Sequence, residues 1–158
     1  MKRLFVTFLC AMGLTMMFPP QTAGADVFIV TAGPQTYIEP EVEELMPRED
    51  IELIALVTMA EAEAEPELGK RLVIDTILNR VDSPRFPDTV DGVIYAPRQF
   101  SSMWNGRVDR CYVREDICVL VEEELRERTN SDCVFFRAGH YGDGTPMFQV
   151  GNHYFSSL

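Results

Sequence analysis

A mostly helical α+β domain with a small β-hairpin near the C-terminus is what this sequence predicts, on three observations. Glu52 to Val81 reads as two amphipathic helices broken by Pro66. Arg114 to Arg128 carries Ile117, Leu120, Val121 and Leu125 at helical spacing on one stripe. Near the end, Cys133–Phe136 and Phe148–Phe155 are short β-prone runs on either side of a glycine-rich loop, Gly139 to Gly144. With 158 residues, 46% hydrophobic and 25% charged, the chain suits one small globular domain with a real core.

The first 25 residues read as a secretory signal peptide. Lys2 and Arg3 form a basic start, Leu4 to Phe18 is a mostly apolar run short for a bilayer span, and Ala23-Gly24-Ala25 is an A-x-A cleavage site before Asp26. The alternative is an uncleaved anchor; cleavage leaves no stable membrane span. Residues 26–48, with Pro34, Pro40 and Pro47, form an extended leader, and 49–158 the folded domain. The formal net charge is -11 with no basic stripe, which argues against a nucleic-acid partner.

The first helix starts at Glu49 or Asp50, where a carboxylate faces the positive end of the macrodipole. Glu61 sits at its other end. Ile54, Val57 and Thr58 lie seven, four and three residues earlier, so Glu61 continues the apolar stripe rather than the solvent face. Pro66 stops the helix, because the residue before a proline is pushed out of the α region. Glu65 then falls on the exit turn near Glu61. A half-desolvated carboxyl beside a second carboxylate is suited to general acid work. The plainer reading, a solvated surface glutamate, is the commoner one for this local pattern.

The second helix starts after Pro66, keeps Leu72, Val73, Ile77, Leu78 and Val81 on a wide apolar face, and reads as the buried central helix closed by Asn79 and Arg80. A proline-rich loop at 83–88 follows. Asp88 or Thr89 caps a short helix carrying Val90, Val93 and Ile94. Arg98 to Arg110 is a polar-aromatic loop in which Gln99, Ser101, Ser102 and Asn105 surround the only tryptophan, Trp104. Sugars are held by such mixtures of aromatic faces and neutral hydrogen-bonding groups. In the competing reading Phe100 and Trp104 tuck into the core, the favoured one for Phe100. Glu122, Glu123 and Glu127 of the next helix read as a solvated face.

Both histidines, His140 and His153, lie in the C-terminal β region. A His/His/Glu metal site lacks ligand spacing, and neither a metal nor a cofactor is expected. Cys111, Cys118 and Cys133 permit one disulfide after export, or three buried thiols; Cys111 and Cys118 can pair only if a helix starts between them.

Taken together, Met59-Ala-Glu-Ala-Glu-Ala-Glu-Pro66, Gly69, Leu78-Asn-Arg-Val81, Phe86-Pro87, Gln99-Phe100, Phe135-Phe136 and Gly151-Asn-His-Tyr-Phe155 resemble the cell-wall hydrolase family of the spore cortex-lytic enzymes. The order and spacing of these pieces from Ile51 to Phe155 carry the resemblance. It implies a lysozyme-like, lytic transglycosylase-like fold in a germination-type, exported wall enzyme. It also implies cleavage of the peptidoglycan strand between N-acetylmuramic acid and N-acetylglucosamine. The first Glu of the family's A-E-A-x-x-E-P motif is its catalytic acid, and here that is Glu61. Glu65 is expected beside it as a second catalytic carboxylate, stabilising positive charge at the sugar or hydrogen-bonding the loop; the plainer reading is a surface acid at the helix end. Asn79, Gln99, Phe100, Trp104, Tyr141 and His153 are candidates for lining the substrate groove. The chain departs from the family in placing Ala62, Glu63 and Ala64 between the two motif acids, so three acids alternate. The expectation is thus a secreted, monomeric enzyme acting on peptidoglycan glycan strands. Its alternative is a non-catalytic peptidoglycan-binding module of the same fold.

Overall fold

The computed structural model describes residues 46–158. The signal peptide at 1–25 and nearly all of the leader lie outside the described residues. Among those described, no helix is long and apolar enough to cross a membrane.

Helix α1, Arg48–Ala62, begins directly after Pro47 with Glu49 and Asp50 in its first turn. It buries Ile51, Ile54, Ala55, Val57 and Thr58, the stripe that periodicity predicts. A short turn leads through Pro66 into α2, Glu67–Asp82. From Leu72 to Arg80 every residue of α2 is buried. The physical cause is position: α2 packs against α1, the short helix α3 (Val90–Ile94), α4 (Glu115–Arg126) and the first strand of the sheet. Thr89, not Asp88, caps α3, its Oγ1 accepting the Gly92 N–H at 3.1 Å. The 98–110 loop tightens into two 3-10 turns, Ser101–Met103 and Val108–Arg110.

The expected two-stranded hairpin is corrected by a third strand. β1 (Phe135–Ala138), β2 (Thr145–Val150) and β3 (His153–Ser157) form an antiparallel sheet in the order β1-β3-β2. The run read as one strand, 148–155, is two strands joined by a tight turn at Gly151-Asn152. Gly151 has φ +56°, a left-handed conformation that a β-branched or bulky residue resists. In the register Phe155 of the central strand faces Phe136 on one side and Phe148 on the other. The three rings pack with centroids 6.1 and 5.7 Å from Phe155.

The main core lies between the four helices, and a smaller one, Leu72, Cys133 and Phe155, lies where α2 meets the sheet. Cys111, Cys118 and Cys133 are free thiols, with Cys118 and Cys133 buried and Cys111 half-buried. Burial pushes the Cys133 thiol up to about 12, so it stays protonated.

The acidic run on α4 is not uniformly solvated. Glu124 is 1% exposed and faces Asp75 of α2, which is 0% exposed. Arg71 Nη1 and the Thr129 hydroxyl donate to Glu124 Oε1, each at 2.9 Å, and the Thr129 N–H donates to Oε2 at 2.6 Å. The Asn130 N–H donates to Asp75 Oδ2 at 2.8 Å. Burial and the hydrogen bond to Glu124 push the Asp75 carboxyl up to about 8. Burial also penalises the Glu124 charge, but hydrogen bonds from Asp75, Arg71 and Thr129 outweigh it and hold Glu124 below the usual range. Asp75 Oδ1 has no donor in the protein. The pair therefore shares one proton, lodged on Asp75 and donated to Glu124.

Candidate active site

Glu61 stands on the last turn of α1, half-buried, above Val57 and Thr58. Its Oε1 accepts the backbone N–H of Ser102 at 3.3 Å, tying the helix end to the first 3-10 turn of the 98–110 loop. It borders a cleft of about 500 Å³ whose lining includes Gln99, Phe100, Phe136, His153 and Tyr154. The cleft is built by convergence: α1 brings Glu61, the loop brings Gln99 and Phe100, and the sheet brings His153 and Tyr154. A more open hollow of about 740 Å³ lies at the far ends of α2 and α4 and shares none of these lining residues.

His153 at the start of β3 is 4% exposed and stacks 5.1 Å from Phe136. Burial holds its pKa below the usual range; the negative charges of Glu65 and Glu61 work against that, and Arg107 works with it. The imidazole is therefore neutral at physiological pH. Its Nδ1 and the hydroxyl of Ser102 are buried without a protein partner. Such orphaned polar atoms are uncommon in folded proteins; His153 lines the cleft, and Ser102 is the residue whose backbone N–H holds Glu61.

Glu65 is close to this centre but has a different task. Its Oε2 accepts the Asn152 N–H at 3.0 Å across the β2–β3 turn, and its backbone carbonyl accepts from Lys70. A Cβ on Gly151 would stand 1.7 Å from that same Oε2, so the glycine admits the carboxylate. Glu65 thus pins the turn that carries His153 to the end of α1.

The structure brings Glu61, Gln99, Phe100 and His153 to one cleft and leaves the other candidates outside its lining. Asn79 faces away: its amide donates to the carbonyls of Asn130 at 2.8 Å and Cys133 at 2.9 Å, which makes it a strut for the chain entering β1. Phe100 lines the cleft but belongs to the main core at 7% exposure, as its plainer reading held. Trp104 does not tuck into the core; it is 64% exposed and meets Tyr95 edge-to-face at 6.0 Å. Tyr141 is exposed and stands edge-on to Tyr154, which lines the cleft, at 5.0 Å. Gln99 accepts from Arg80 Nη1 at 2.9 Å.

Residues that sequence reasoning passed over are Arg80, Arg98, Arg107, Arg137, Asp143 and Tyr154, all on the cleft lining. Arg80 was within reach of a sequence argument. It lies on the helix that reads as buried, where a charged side chain needs partners that the sequence does not otherwise account for. Among the described residues no group of three His, Cys, Asp or Glu side chains is placed to hold a metal.

This fold, a mostly helical domain with a small three-stranded antiparallel sheet, is shared with solved catalytic domains of cell-wall enzymes. The crystal structure of the catalytic domain of the Bacillus cereus SleB protein matches it with a TM-score of 0.61 at 28% identity, covering 68% of this chain and 89% of that one. The catalytic domain of the germination-specific lytic transglycosylase SleB from Bacillus anthracis matches with a TM-score of 0.61 at 27% identity, covering 71% and 97%. The chain belongs to the cell wall hydrolase family, whose model matches residues 64–156. Glu65 falls inside that span and Glu61 just before it. The spore cortex-lytic enzyme of Bacillus cereus is 38% identical over 90 residues, 57% of this chain and 29% of that protein. That of Halalkalibacterium halodurans is 44% identical over 59 residues, 37% of this chain and 18% of that protein. The chain thus spans less than a third of the length of these curated relatives.

Proposed function

We propose that this protein is an exported enzyme that cleaves the glycan strand of peptidoglycan by lytic transglycosylation, with Glu61 as general acid and then general base. The observation that carries the reading is Glu61 itself: a half-buried carboxyl at a cleft, one oxygen engaged by the Ser102 amide, the other left for a substrate. Membership of the cell wall hydrolase family and the likeness to SleB catalytic domains support it.

In this mechanism Glu61 gives its proton to the glycosidic oxygen between N-acetylmuramic acid and N-acetylglucosamine as the C1–O bond breaks. The 6-hydroxyl of the muramyl unit attacks C1 and its proton passes to the Glu61 carboxylate. The product is a 1,6-anhydro sugar, the acid is restored, and no external water is consumed. A second carboxylate nucleophile, as in retaining glycosidases, is not required. The fixed Ser102 amide holds the carboxyl in place through both proton transfers. His153, neutral and buried, contributes a polar wall against the sugar. Exposed Trp104 and Tyr141, outside the cleft lining, extend the strand-binding surface by ring stacking.

The test is mass spectrometry of the soluble fragments released from purified peptidoglycan. Anhydro-muramyl ends that disappear in Glu61→Gln, with the fold retained by circular dichroism, are expected. Hydrated reducing ends would replace transglycosylation by hydrolysis. Release of no fragments by a protein that still sediments with the wall would overturn the enzymatic reading in favour of a binding module.

A further inference from the structure

The chain has a formal charge of -11, yet its cleft is positive. Four arginines, Arg80, Arg98, Arg107 and Arg137, line it against two acids, Glu61 and Asp143. Elsewhere on the domain several guanidinium groups sit on carboxylates: Arg48 on Glu52 and Glu115, Arg71 on three glutamates, Arg114 on Asp116 and Arg128 on Asp82. Among the described residues, none of the four cleft arginines has a carboxylate within ion-pair distance.

Arg80 is the clearest of them. It is 4% exposed and surrounded by Phe86, Phe100 and Phe135, with its guanidinium carbon 5.2 to 5.6 Å from the three ring centroids. Its nitrogens donate to the Val134 carbonyl at 2.7 Å and to Gln99 at 2.9 Å, both neutral acceptors. Burial brings its pKa down to about 10, which still leaves it a cation at neutral pH. Burying a charge without a counter-charge is costly, and proteins ordinarily avoid it. Arg98 adds a second cost at the cleft: its φ of +68° lies in the left-handed region, and Phe100 two residues on has φ +26°. Arg137 reaches the same space from β1 with its stem over Gly142. Arg107 is near enough to His153 to lower its proton affinity.

We propose that this cleft selects an anionic glycan, reading a carboxylate on the strand beside the bond that Glu61 attacks. The inference rests on the proposed role of Glu61 and adds the charge of its substrate. Neutral sugar groups are satisfied by amides and hydroxyls; unneutralised guanidiniums match carboxylates, by charge and by the paired N–H fork. A cleft concentrates such a field, so the pull persists on a molecule that is negative overall. Two sources supply that chemistry in a wall strand: the lactyl carboxylate of a muramyl unit that carries no stem peptide, and the carboxylates of an attached stem peptide. A strand whose carboxylates are blocked as amides is the poorer ligand.

The experiment measures binding of Glu61→Gln protein, and cleavage by the unaltered protein, on three soluble strands. One keeps its stem peptides, one is stripped of peptide so that the lactyl carboxylates are free, and one is stripped and then methylamidated. Amidation is expected to weaken binding about tenfold or more, and Arg107→Gln and Arg137→Gln each to weaken binding of the free-carboxylate strand by about tenfold. Neither variant should change binding of the amidated strand. Arg85→Gln, the same charge change on the 83–88 loop, is the control and should alter none of these. Full effect on the stripped strand assigns the lactyl carboxylate; an effect seen only with peptides present assigns the stem. Equal binding and cleavage of all three strands, still dependent on Glu61, would overturn this inference and leave the catalytic reading standing. Carboxylate-dependent binding without cleavage of any strand would do the reverse.

Discussion

Replacing Asp75 by Asn should make the protein less sensitive to mild alkali, and the size of the effect follows from one proton. Asp75 is pushed up to about 8 in the folded state, whereas an unfolded aspartate titrates near 3.9. Between those values the folded state holds a proton that the unfolded state has lost. Stability is therefore highest below the unfolded value, falls as pH rises through the window, and levels off above the folded value. His153 runs the other way, since its depressed folded pKa lowers stability only as pH falls below its unfolded value of 6.5. Arg71, held above its usual range, and Glu124, held below its own, keep their charge above pH 6.5. The clean interval is about pH 6.5 to 8, where the onset of thiol ionisation in the unfolded chain is small and common to both proteins. At about 1.4 kcal/mol per pH unit, Asp75 accounts there for a loss on the order of 2 kcal/mol. In Asp75→Asn the side-chain NH2 donates to Glu124 where the acid proton did, and the carbonyl still accepts the Asn130 N–H. The assay is urea unfolding at several pH values in that interval. The unaltered protein should lose about 2 kcal/mol and the variant little, so that the variant is the more stable of the two at pH 8. Parallel pH curves for the two proteins would refute the shared proton.

Gly151→Ala should destabilise by about 2 kcal/mol or more in urea unfolding, because it adds a Cβ at φ +56° and drives it into the Glu65 carboxylate. In a Glu65→Ala background the same change should cost less, the remainder being backbone strain, and simple additivity would show that Glu65 does not clamp the turn. Trp104→Ala should leave stability within about 0.5 kcal/mol, since the ring is exposed, yet weaken binding of wall fragments several-fold. Emission of this lone tryptophan should shift when such fragments are added to Glu61→Gln protein, and an unshifted spectrum at saturation would remove Trp104 from the strand-binding surface.

How much was legible in advance differs from element to element. Helices α1, α2 and α4 follow from periodicity because their buried faces repeat within a single segment, and Pro66 marks the break without help from the rest of the chain. Glu61 was found the same way: a residue continuing the stripe of Ile54, Val57 and Thr58 ends at the core edge wherever the helix packs. The β region was read less well. Phe148 to Phe155 alternates like one strand, and only the left-handed Gly151 and the Glu65 contact show it to be two. Asn79 was chosen for the groove from its motif, but its amide faces the 130–133 backbone and its neighbour Arg80 faces the cleft.

By itself the sequence determined what local repetition and stereochemistry can carry: the helices and their buried stripes, the proline breaks, an acid placed at the core edge, and the family. The tertiary structure alone decided which distant groups meet. The Asp75–Glu124 proton joins residues on two helices, the Glu65–Asn152 clamp joins the end of α1 to the sheet, and the cleft gathers arginines from α2, the 98–110 loop and β1. Those encounters depend on packing angles and on burial. Burial also determines what each charge costs, and neither quantity is written in the spacing of residues along the chain.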